Sequence, residues 1–238
     1  MKDTVAYRRI LLKLSGEALA REGQSGVDPK ALADIAGEIR RMTHLGVETA
    51  VVVGGGNFFR GAGPGGHGLV RATADHMGML ATVMNALALA DACEAVGAVT
   101  DVYSSFRVDG MAPRFDRKAA IKSLVARRVV LLAGGTGSPF FTTDTAAALR
   151  AAELEAEVIF KATKVDGVYA ADPFKDRRAR RFDRISFRRA IEMRLKVMDL
   201  TALSFCYEHR IPIRVFNMRR KGNLEKLARG EAVGTLVS

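Results

Sequence analysis

Three glycine-rich turns, each at the end of a predicted strand, have the composition of phosphate-binding loops. They are Leu14-Ser15-Gly16, Gly54-Gly55-Gly56-Asn57 and Gly134-Gly135-Thr136-Gly137. In an open α/β sheet, ligands bind beyond the carboxyl ends of the strands, where free N–H groups and helix N-termini attract phosphate. Any one cluster could be only a tight turn. Three clusters at one sheet edge predict a large polyanionic ligand.

Two basic residues lie beside these turns. Lys13 ends the first predicted strand, and Arg60 follows the second turn. Because a cation among phosphate-binding amides neutralises charge on a transferring phosphoryl group, both residues are candidates for phosphoryl-transfer chemistry. The guanidinium of Arg60 could also grip two phosphate oxygens at once. The alternative for each is a charge that simply faces solvent.

Two aspartates lie near the starts of predicted helices. Asp144 follows two threonines, so Thr143 could cap the helix while Asp144 complements the helix dipole. Capping does not explain the preceding Thr-Gly-Ser-Pro-Phe-Phe string, whose hydroxyls and amides suit a base or a phosphate. Asp75 is either a dipole partner in the first turn of its helix or an acceptor for sugar hydroxyls.

Several common site motifs are absent or poorly placed. The sequence has no GxxxxGK[ST] string, which excludes a Walker-type P-loop. A GxGxxG match at 61–66 lies several residues past its strand, whereas a dinucleotide-binding fingerprint follows its strand directly. The histidines have no metal-ligand spacing. Cys93 and Cys206 are predicted to be buried thiols in a reducing compartment.

Composition and charge restrict the class of protein. The chain has 238 residues, of which 48% are hydrophobic and 26% charged, as in ordinary globular proteins. The formal net charge of +11 favours anionic partners. The longest uncharged apolar run, 77–90, is shorter than the ~20 residues of a membrane-spanning helix, and the N-terminus does not resemble a signal peptide. We therefore expect a cytoplasmic protein without a membrane segment.

The pattern of elements predicts an α/β fold with a largely parallel sheet, because short β-branched runs alternate with amphipathic segments. Strands are predicted over 10–14, 47–53, 99–104, 129–133, 157–162 and 213–216. Helices are predicted over 29–45, 73–96, 117–126, 186–194 and 198–209, with an alanine-rich helix that ends near residue 153. The basic stretch 175–184 is predicted to be a solvated loop. No repeat or linker divides the chain, which indicates one domain.

Several strings resemble those of the bacterial UMP kinases (uridylate kinases), a group within the amino-acid kinase family. They are ILLKLSGEAL at 10–19, GGGNFFRG at 54–61, DHMGMLATVMN at 75–85, GGTGSPFFTTD at 134–144, KATKVDGV at 161–168 and RVFN at 214–217. They span nearly the whole chain in order. The resemblance implies a three-layer α/β/α sandwich of the carbamate kinase-like fold, with an acceptor lobe over about 1–150 and an ATP-binding lobe over about 151–238.

The resemblance also implies an activity, the Mg²⁺-dependent transfer of a phosphoryl group from ATP to UMP in pyrimidine nucleotide biosynthesis. The residues it assigns to catalysis are Lys13, Arg60, Asp144 and Lys161, with Lys196 as the alternative to Lys161. Those it assigns to ATP are Lys13, Leu14, Ser15, Gly16, Gly56, Arg60, Thr163, Tyr169 and Asp172. Those it assigns to UMP are Gly55, Asp75, Thr136, Gly137, Ser138, Pro139, Phe140, Phe141, Thr142 and Thr143.

Further properties follow from the resemblance alone. The Mg²⁺ ion would be held through nucleotide phosphates, so no protein ligand is assigned to it. A homohexamer activated by GTP and inhibited by UTP is expected. Ser138 departs from the asparagine usual in the family, so the resemblance does not assign the hydrogen bond to UMP that the asparagine would form.

Two other functions are compatible with parts of the sequence. A kinase of the same fold that acts on a carboxylate or carbamate should place cations at the acceptor, whereas this sequence places Thr-Gly-Ser-Pro-Phe-Phe-Thr-Thr there. A nucleic-acid-binding protein would explain the net charge. The basic residues are spread along the chain, however, and no nucleic-acid-binding motif is present, so no specific nucleic-acid partner is expected.

Overall fold

The computed structural model describes residues 5–59, 68–176 and 178–238. Its strands are β1 (Arg9–Leu14), β2 (Glu48–Val53), β3 (Thr100–Ser104), β4 (Val129–Ala133), β5 (Val158–Thr163), β6 (Val168–Tyr169), β7 (Arg181–Phe182), β8 (Arg184–Ile185), β9 (Ile213–Asn217) and β10 (Thr235–Val237). Its helices are α1 (Pro29–His44), α2 (Arg71–Ala95), α3 (Arg117–Val125), α4 (Thr143–Glu153), α5 (Phe187–Glu192), α6 (Leu200–Glu208) and α7 (Asn223–Ala228). A short 3-10 helix covers Gly16–Leu19.

One sheet joins eight of the described strands in the order β3-β4-β2-β1-β5-β9-β10-β8. From β3 to β9 all neighbours pair in parallel, while β10 pairs antiparallel with β9. β2, the next strand in the chain, pairs with one side of β1, and β5 pairs with the other side. Because ligands of open α/β sheets bind where the strand order reverses, the carboxyl end of β1 is the expected position of the site.

Two core layers cover the two faces of the sheet. Side chains alternate along β1: Ile10, Leu12 and Leu14 pack in the layer of α1, α2 and α7, while Leu11 packs in the layer of α3 to α6. The central strands are therefore buried on both sides, as expected for a parallel sheet. This arrangement is the predicted three-layer α/β/α sandwich, and the fold prediction is confirmed.

The first half of the chain closely follows its predicted elements. Asp28 caps α1 by accepting a hydrogen bond from Lys30 N at 3.1 Å, with Pro29 in the first helical position. Cys93 and Cys206 are buried, as predicted, and burial raises the pKa of each thiol to about 12. Within the described ranges, none of the helices combines the length and the apolar character needed to cross a bilayer.

Three predictions of local structure are wrong. Thr142, and not Thr143, caps α4, because its Oγ1 accepts hydrogen bonds from Asp144 N at 3.0 Å and Thr145 N at 3.4 Å. The loop predicted over 175–184 ends in β7 and the start of β8. No strand is predicted after 213–216, whereas β10 follows it in the chain and pairs with β9. Strands of two or three residues are too short to show a period-two pattern.

Candidate active site

Lys13 and Lys161 are direct neighbours in the sheet. The parallel register of β1 and β5 places Lys13 opposite Lys161. Leu11 and Ile159, two residues earlier in each strand, belong to the core layer that contains α4. Because side chains alternate between the faces of a strand, both lysines point toward that layer. Like charges directly opposite each other repel, so this pair requires a compensating anion.

Asp144, in the first turn of α4, supplies that anion. Its Oδ2 accepts a hydrogen bond from Lys161 Nζ at 2.6 Å, and its Oδ1 lies 2.7 Å from Lys13 Nζ. The contact between Lys13 and Oδ1 is an ion pair by its distance. Within the described part of the chain, no donor is aligned for a hydrogen bond to Oδ1. The three side chains are only 10 to 14% exposed. The cluster holds two positive charges and one negative charge.

The electrostatics of the cluster follow from burial and proximity. Burial alone would raise the pKa of Asp144, but the ammonium groups of Lys13 and Lys161 outweigh it and hold the pKa below its ordinary value. Burial is also the largest influence on Lys161, and together with the charge of Lys13 it lowers the pKa of Lys161 despite the opposing effect of Asp144. The two ammonium groups therefore favour the anionic form of Asp144.

The N-terminus of α4 is fixed by Asp199, the N-cap residue of α6. Thr142 Oγ1 donates a hydrogen bond to Asp199 Oδ2 while it caps α4. Thr145 Oγ1 lies 3.0 Å from the same oxygen. Asp199 in turn caps α6 by accepting from Ala202 N at 2.9 Å. One carboxylate thus joins the starts of two helices and fixes the turn that carries Asp144.

The first two glycine turns pack directly against each other. A Cβ on Gly16 would lie 2.7 Å from Gly56 N and 2.8 Å from Gly54 O, so only glycine allows this approach. A Cβ on Gly55 would lie 2.5 Å from Gly78 O on α2. Gly54 N donates to Leu14 O at 2.9 Å. The close packing brings the ends of β1 and β2 and the start of α2 to one place.

Buried amide side chains support the second turn. Asn85 of α2 donates to Gly54 O at 2.7 Å and to Asn57 Oδ1 at 2.7 Å, and Asn57 donates to Gly26 O at 2.7 Å. Thr82, one helical turn before Asn85, accepts from Gly134 N at 2.7 Å and so holds the third turn. The face of α2 that packs on the sheet therefore positions both turns.

A cleft of about 470 Å³, here called the Asp75 cleft, opens between the three turns and α2. Lys13 of β1 lines it, together with Thr142 and Thr143 at the start of α4. Arg71 and Asp75 line it from α2. The predicted site residues that line it are Lys13, Ser15, Gly16, Gly55, Gly56, Asp75, Ser138, Phe141, Thr142 and Thr143.

A second cleft of about 260 Å³, here called the Thr163 cleft, lies on the other side of Ser15. Ala162, Thr163 and Lys164 at the end of β5 line it, together with residues of α1 and the segment after β9. Ser15 and Glu17 line both clefts. Two ligands would therefore meet near the end of β1.

The remaining predicted residues have other environments. Leu14 is fully buried, so only its backbone is available to a ligand. Lys196 is exposed, and Asp144 pairs with Lys161 instead. Arg60 lies outside the described residues. The predicted residues of the described ranges that line neither cleft are Leu14, Thr136, Gly137, Pro139, Phe140, Asp144, Lys161, Tyr169, Asp172 and Lys196.

Sequence reasoning did not find the residues that support the site. Asp199 and Arg71 form hydrogen bonds with the predicted site residues Thr142 and Asp75. Asn85 and Thr82 form hydrogen bonds with the backbone of the glycine-rich turns. A usable signal exists for Asn85 and Thr82, which are polar residues within the long apolar run of α2. Asp199 gives no such signal, since it reads as an ordinary helix cap.

The sequence of this chain matches a known protein family over most of its length. The family model described as the amino acid kinase family matches residues 8–217. A uridylate kinase of Pseudomonas syringae is 51% identical over 231 residues, which is 97% of this chain and 94% of that protein. A uridylate kinase of Pseudomonas fluorescens shows the same identity and coverage.

Solved structures are similar over nearly the whole chain. The UMP kinase of Bacillus anthracis has a TM-score of 0.94 at 34% identity and covers 98% of this chain and 96% of its own. The uridylate kinase of Archaeoglobus fulgidus has a TM-score of 0.70 at 28% identity, with coverage of 96% and 99%. The resemblance to the bacterial UMP kinases is thereby confirmed, and the chain belongs to the amino acid kinase family.

Proposed function

We propose that this chain transfers the γ-phosphoryl group of ATP to UMP and so produces ADP and UDP. The observation that carries the proposal is the position of Asp144 between Lys13 and Lys161, at the carboxyl edge of the sheet. Phosphoryl transfer requires mainly positioning and neutralisation of charge on the transferring group. Two buried ammonium groups held by one carboxylate supply that neutralisation. The identity of the acceptor is supported by the relatives, which are uridylate kinases.

The chemistry assigned to each residue follows from its position. Lys13 and Lys161 attract the negative oxygens of the two nucleotides and stabilise the charge that develops during transfer. Asp144 keeps the two ammonium groups in place and limits their mutual repulsion. Ser15 and Gly16 offer backbone amides at the start of the 3-10 helix, where phosphate is favoured. The acceptor oxygen then attacks the γ-phosphorus in line, without a covalent enzyme intermediate.

The two clefts divide the substrates. We place UMP in the Asp75 cleft, with the β4–α4 loop (134–142) and Asp75 around it. Phosphates of ATP would lie along the turns of β1 and β2, with Arg60 as a further ligand. Thr163, Tyr169 and Asp172 are assigned to the adenosine part of ATP, although only Thr163 lines the Thr163 cleft. This division corresponds to an acceptor lobe over about 1–150 and an ATP-binding lobe over about 151–238.

The chain fits a Mg²⁺ ion that is held by the nucleotides. Within the described ranges, no three His, Cys, Asp or Glu side chains gather into a metal cage. Asp144 Oδ1 lies 2.7 Å from Lys13 Nζ and is already paired with a cation, so we assign no protein oxygen to the ion. Mg²⁺ usually keeps several waters and binds substrate phosphates. When bound, the ion would neutralise phosphate charge.

The proposal extends to assembly, regulation and location. Met77, Leu80 and Met84 are 40 to 52% exposed on one face of α2, and an apolar helix face of this kind is typical of a subunit interface. We propose a homo-oligomer, in agreement with the hexamer expected from the family resemblance. Activation by GTP, inhibition by UTP and a cytoplasmic location complete the proposal.

A coupled phosphoryl-transfer assay tests the function. UMP, CMP, AMP, GMP and a panel of carboxylates are offered with ATP and Mg²⁺, and we expect UMP to be the preferred acceptor. Lys13→Ala should lower kcat by about 10²-fold or more, because it removes a preorganised charge at the transferring group. Lys118→Ala, which removes an exposed lysine of α3, is the control. Preference for a carboxylate, or normal turnover of Lys13→Ala, would refute the proposal.

A further inference from the structure

Arg71 and Asp75 form an ion pair at the rim of the Asp75 cleft. Arg71 Nε lies 2.9 Å from Asp75 Oδ1 and 2.9 Å from Oδ2. The aspartate side chain is 15% exposed and the arginine side chain 48% exposed. Both residues line the cleft. The pair is therefore within reach of the nucleotide that we place there.

The stability of α2 does not account for this pair. Arg71 is the first residue of the helix, where the helix dipole disfavours a positive charge. An ion pair at i,i+4 contributes only about 0.2–0.5 kcal/mol to a helix, and the order with the acidic residue first is the better one. In α2 the basic residue comes first. The pair thus contributes little to the helix, which leaves its contacts across the cleft to be explained.

Those contacts reach the β4–α4 loop at Phe140. Phe140 N donates a hydrogen bond to Asp75 Oδ2 at 2.8 Å, and the Phe140 ring centroid lies 5.9 Å from Arg71 Cζ. Phe140 has a φ of +72°, which a bulky residue adopts at a cost of about 1–3 kcal/mol. Such strain persists only where the surroundings hold it. Arg71 and Asp75 together hold this residue of the loop in its strained conformation.

The hydrogen bonds of Asp75 leave room for a ligand. A carboxylate offers about four lone-pair sites on its two oxygens. Oδ2 accepts hydrogen bonds from the Phe140 amide and from Arg71. Within the described ranges, Oδ1 accepts a hydrogen bond from Arg71 only. Oδ1 therefore retains capacity to accept a hydrogen bond from a hydroxyl group in the cleft.

We propose that Arg71 is a positioning residue for the acceptor nucleotide. It orients the Asp75 carboxylate so that Oδ2 anchors the β4–α4 loop and Oδ1 faces the sugar hydroxyls of the acceptor. The inference rests on the proposed function, because it takes the ligand of the Asp75 cleft to be UMP. Its consequence is that Arg71 controls the affinity for the acceptor and the preference for a ribose over a 2′-deoxyribose.

Steady-state kinetics of Arg71→Ala with UMP, 2′-deoxy-UMP and ATP test the inference. We expect the KM for UMP to rise about tenfold or more, which corresponds to about 1.4 kcal/mol. The KM for ATP should change less than twofold, and kcat should fall less than the KM for UMP rises. The preference for UMP over 2′-deoxy-UMP should decrease. Arg71→Lys keeps the charge but not the planar guanidinium group. Its KM for UMP should lie between those of the wild type and Arg71→Ala.

Two further variants separate positioning from general damage. Arg189→Ala removes an exposed arginine of α5 paired with Glu192 at 3.8 Å and should behave as the wild type. In the Asp75→Asn background, Arg71→Ala should raise the KM for UMP little further, because both changes interrupt the same contact.

The remaining outcomes contradict either the role of Arg71 or the proposed function. Equal rises in the KM for UMP and for ATP, or full additivity with Asp75→Asn, would overturn the role of Arg71. A wild-type enzyme that phosphorylates UMP, combined with an unchanged Arg71→Ala variant, would overturn this inference alone. A wild-type chain that does not phosphorylate UMP at all would overturn the proposed function and this inference with it.

Discussion

The two buried lysine charges, one on β1 and one on β5, destabilise the folded protein. Lys13 and Lys161 face each other across two adjacent strands, and both are nearly buried. Removing one partner from a buried charge cluster leaves an uncompensated charge, which costs several kcal/mol in typical proteins. The anion of Asp144 reduces this cost without cancelling it. The remaining positive charge is what an incoming phosphate would neutralise, so the site is prepared for its ligand before the ligand arrives.

The charge of Asp199 gives a prediction about pH dependence. Burial lowers the pKa of Lys161, whereas Asp199 is among the groups that raise it. Asp199→Asn removes that negative charge, so Lys161 should lose its proton at a lower pH than in the wild type. Because the neutral amine cannot neutralise phosphate, the alkaline limb of the kcat profile should move to lower pH. A pH series of initial rates at saturating substrates measures this shift.

A matched variant isolates the charge from the hydrogen bond. Thr145→Val removes a hydroxyl that contacts Asp199 but leaves the carboxylate charged. Its alkaline limb should therefore coincide with that of the wild type. An unmoved or upward-shifted limb in Asp199→Asn would show that this carboxylate does not act on Lys161.

At the scale of elements, α2 holds the ends of two strands in position. Its residues approach the backbone of Gly55 and accept from the amide of Gly134. The turns themselves contain too little side chain to define their own shape. Their geometry is therefore a property of the packing between α2 and the sheet, and a change at that contact should affect ligand binding without touching a charged residue.

Gly55→Ala tests this dependence. The added Cβ would lie 2.5 Å from Gly78 O and 2.9 Å from Ala81 Cβ, so the turn after β2 and α2 must move apart. We expect a loss of about 1–3 kcal/mol in the free energy of unfolding, as for other overpacked sites, and a clear rise in the KM for UMP. Gly37→Ala on α1 has no atom within 4 Å of its new Cβ and should stabilise the chain by roughly 0.5–1 kcal/mol. Equal stability of the two variants in urea would contradict the packing argument.

Elements differ in how far the sequence predicts them. The long helices and the buried strands carry periodic patterns, and the glycine turns mark their ends, so Lys13 and Asp144 could be assigned to one sheet edge. The pairing of Asp144 with Lys161 depends on the register of β5 against β1, which no local pattern encodes. β7, β8 and β10 have two or three residues each, which is too few to show the alternation of a strand. Asp199 contacts α4 only through tertiary packing.

For the molecule as a whole, a single sheet runs through both proposed lobes. β1 and β5, which belong to different lobes in the proposed division, are adjacent strands with four residue pairs in register. The two lysines are fixed relative to each other by this pairing. Movement of one lobe against the other would have to bend the sheet. The substrates are therefore expected to meet at a preformed point near Ser15.

The exposed apolar face of α2 leads to a prediction about assembly. Leu80 and Met84 lie three and seven positions after Met77, so the three side chains share one helix face. The same helix lines the Asp75 cleft.

Leu80→Glu would bury a carboxylate in any interface formed at this face, which costs free energy unless the charge is paired. We expect light scattering after size exclusion to show an oligomer for the wild type and a smaller species for Leu80→Glu. Val125→Glu, at an exposed valine of α3, should leave the mass unchanged. Because α2 supports two of the site turns, the smaller species should also have a raised KM for UMP. A monomeric wild type, or an unchanged mass for Leu80→Glu, would rule out this face as the interface.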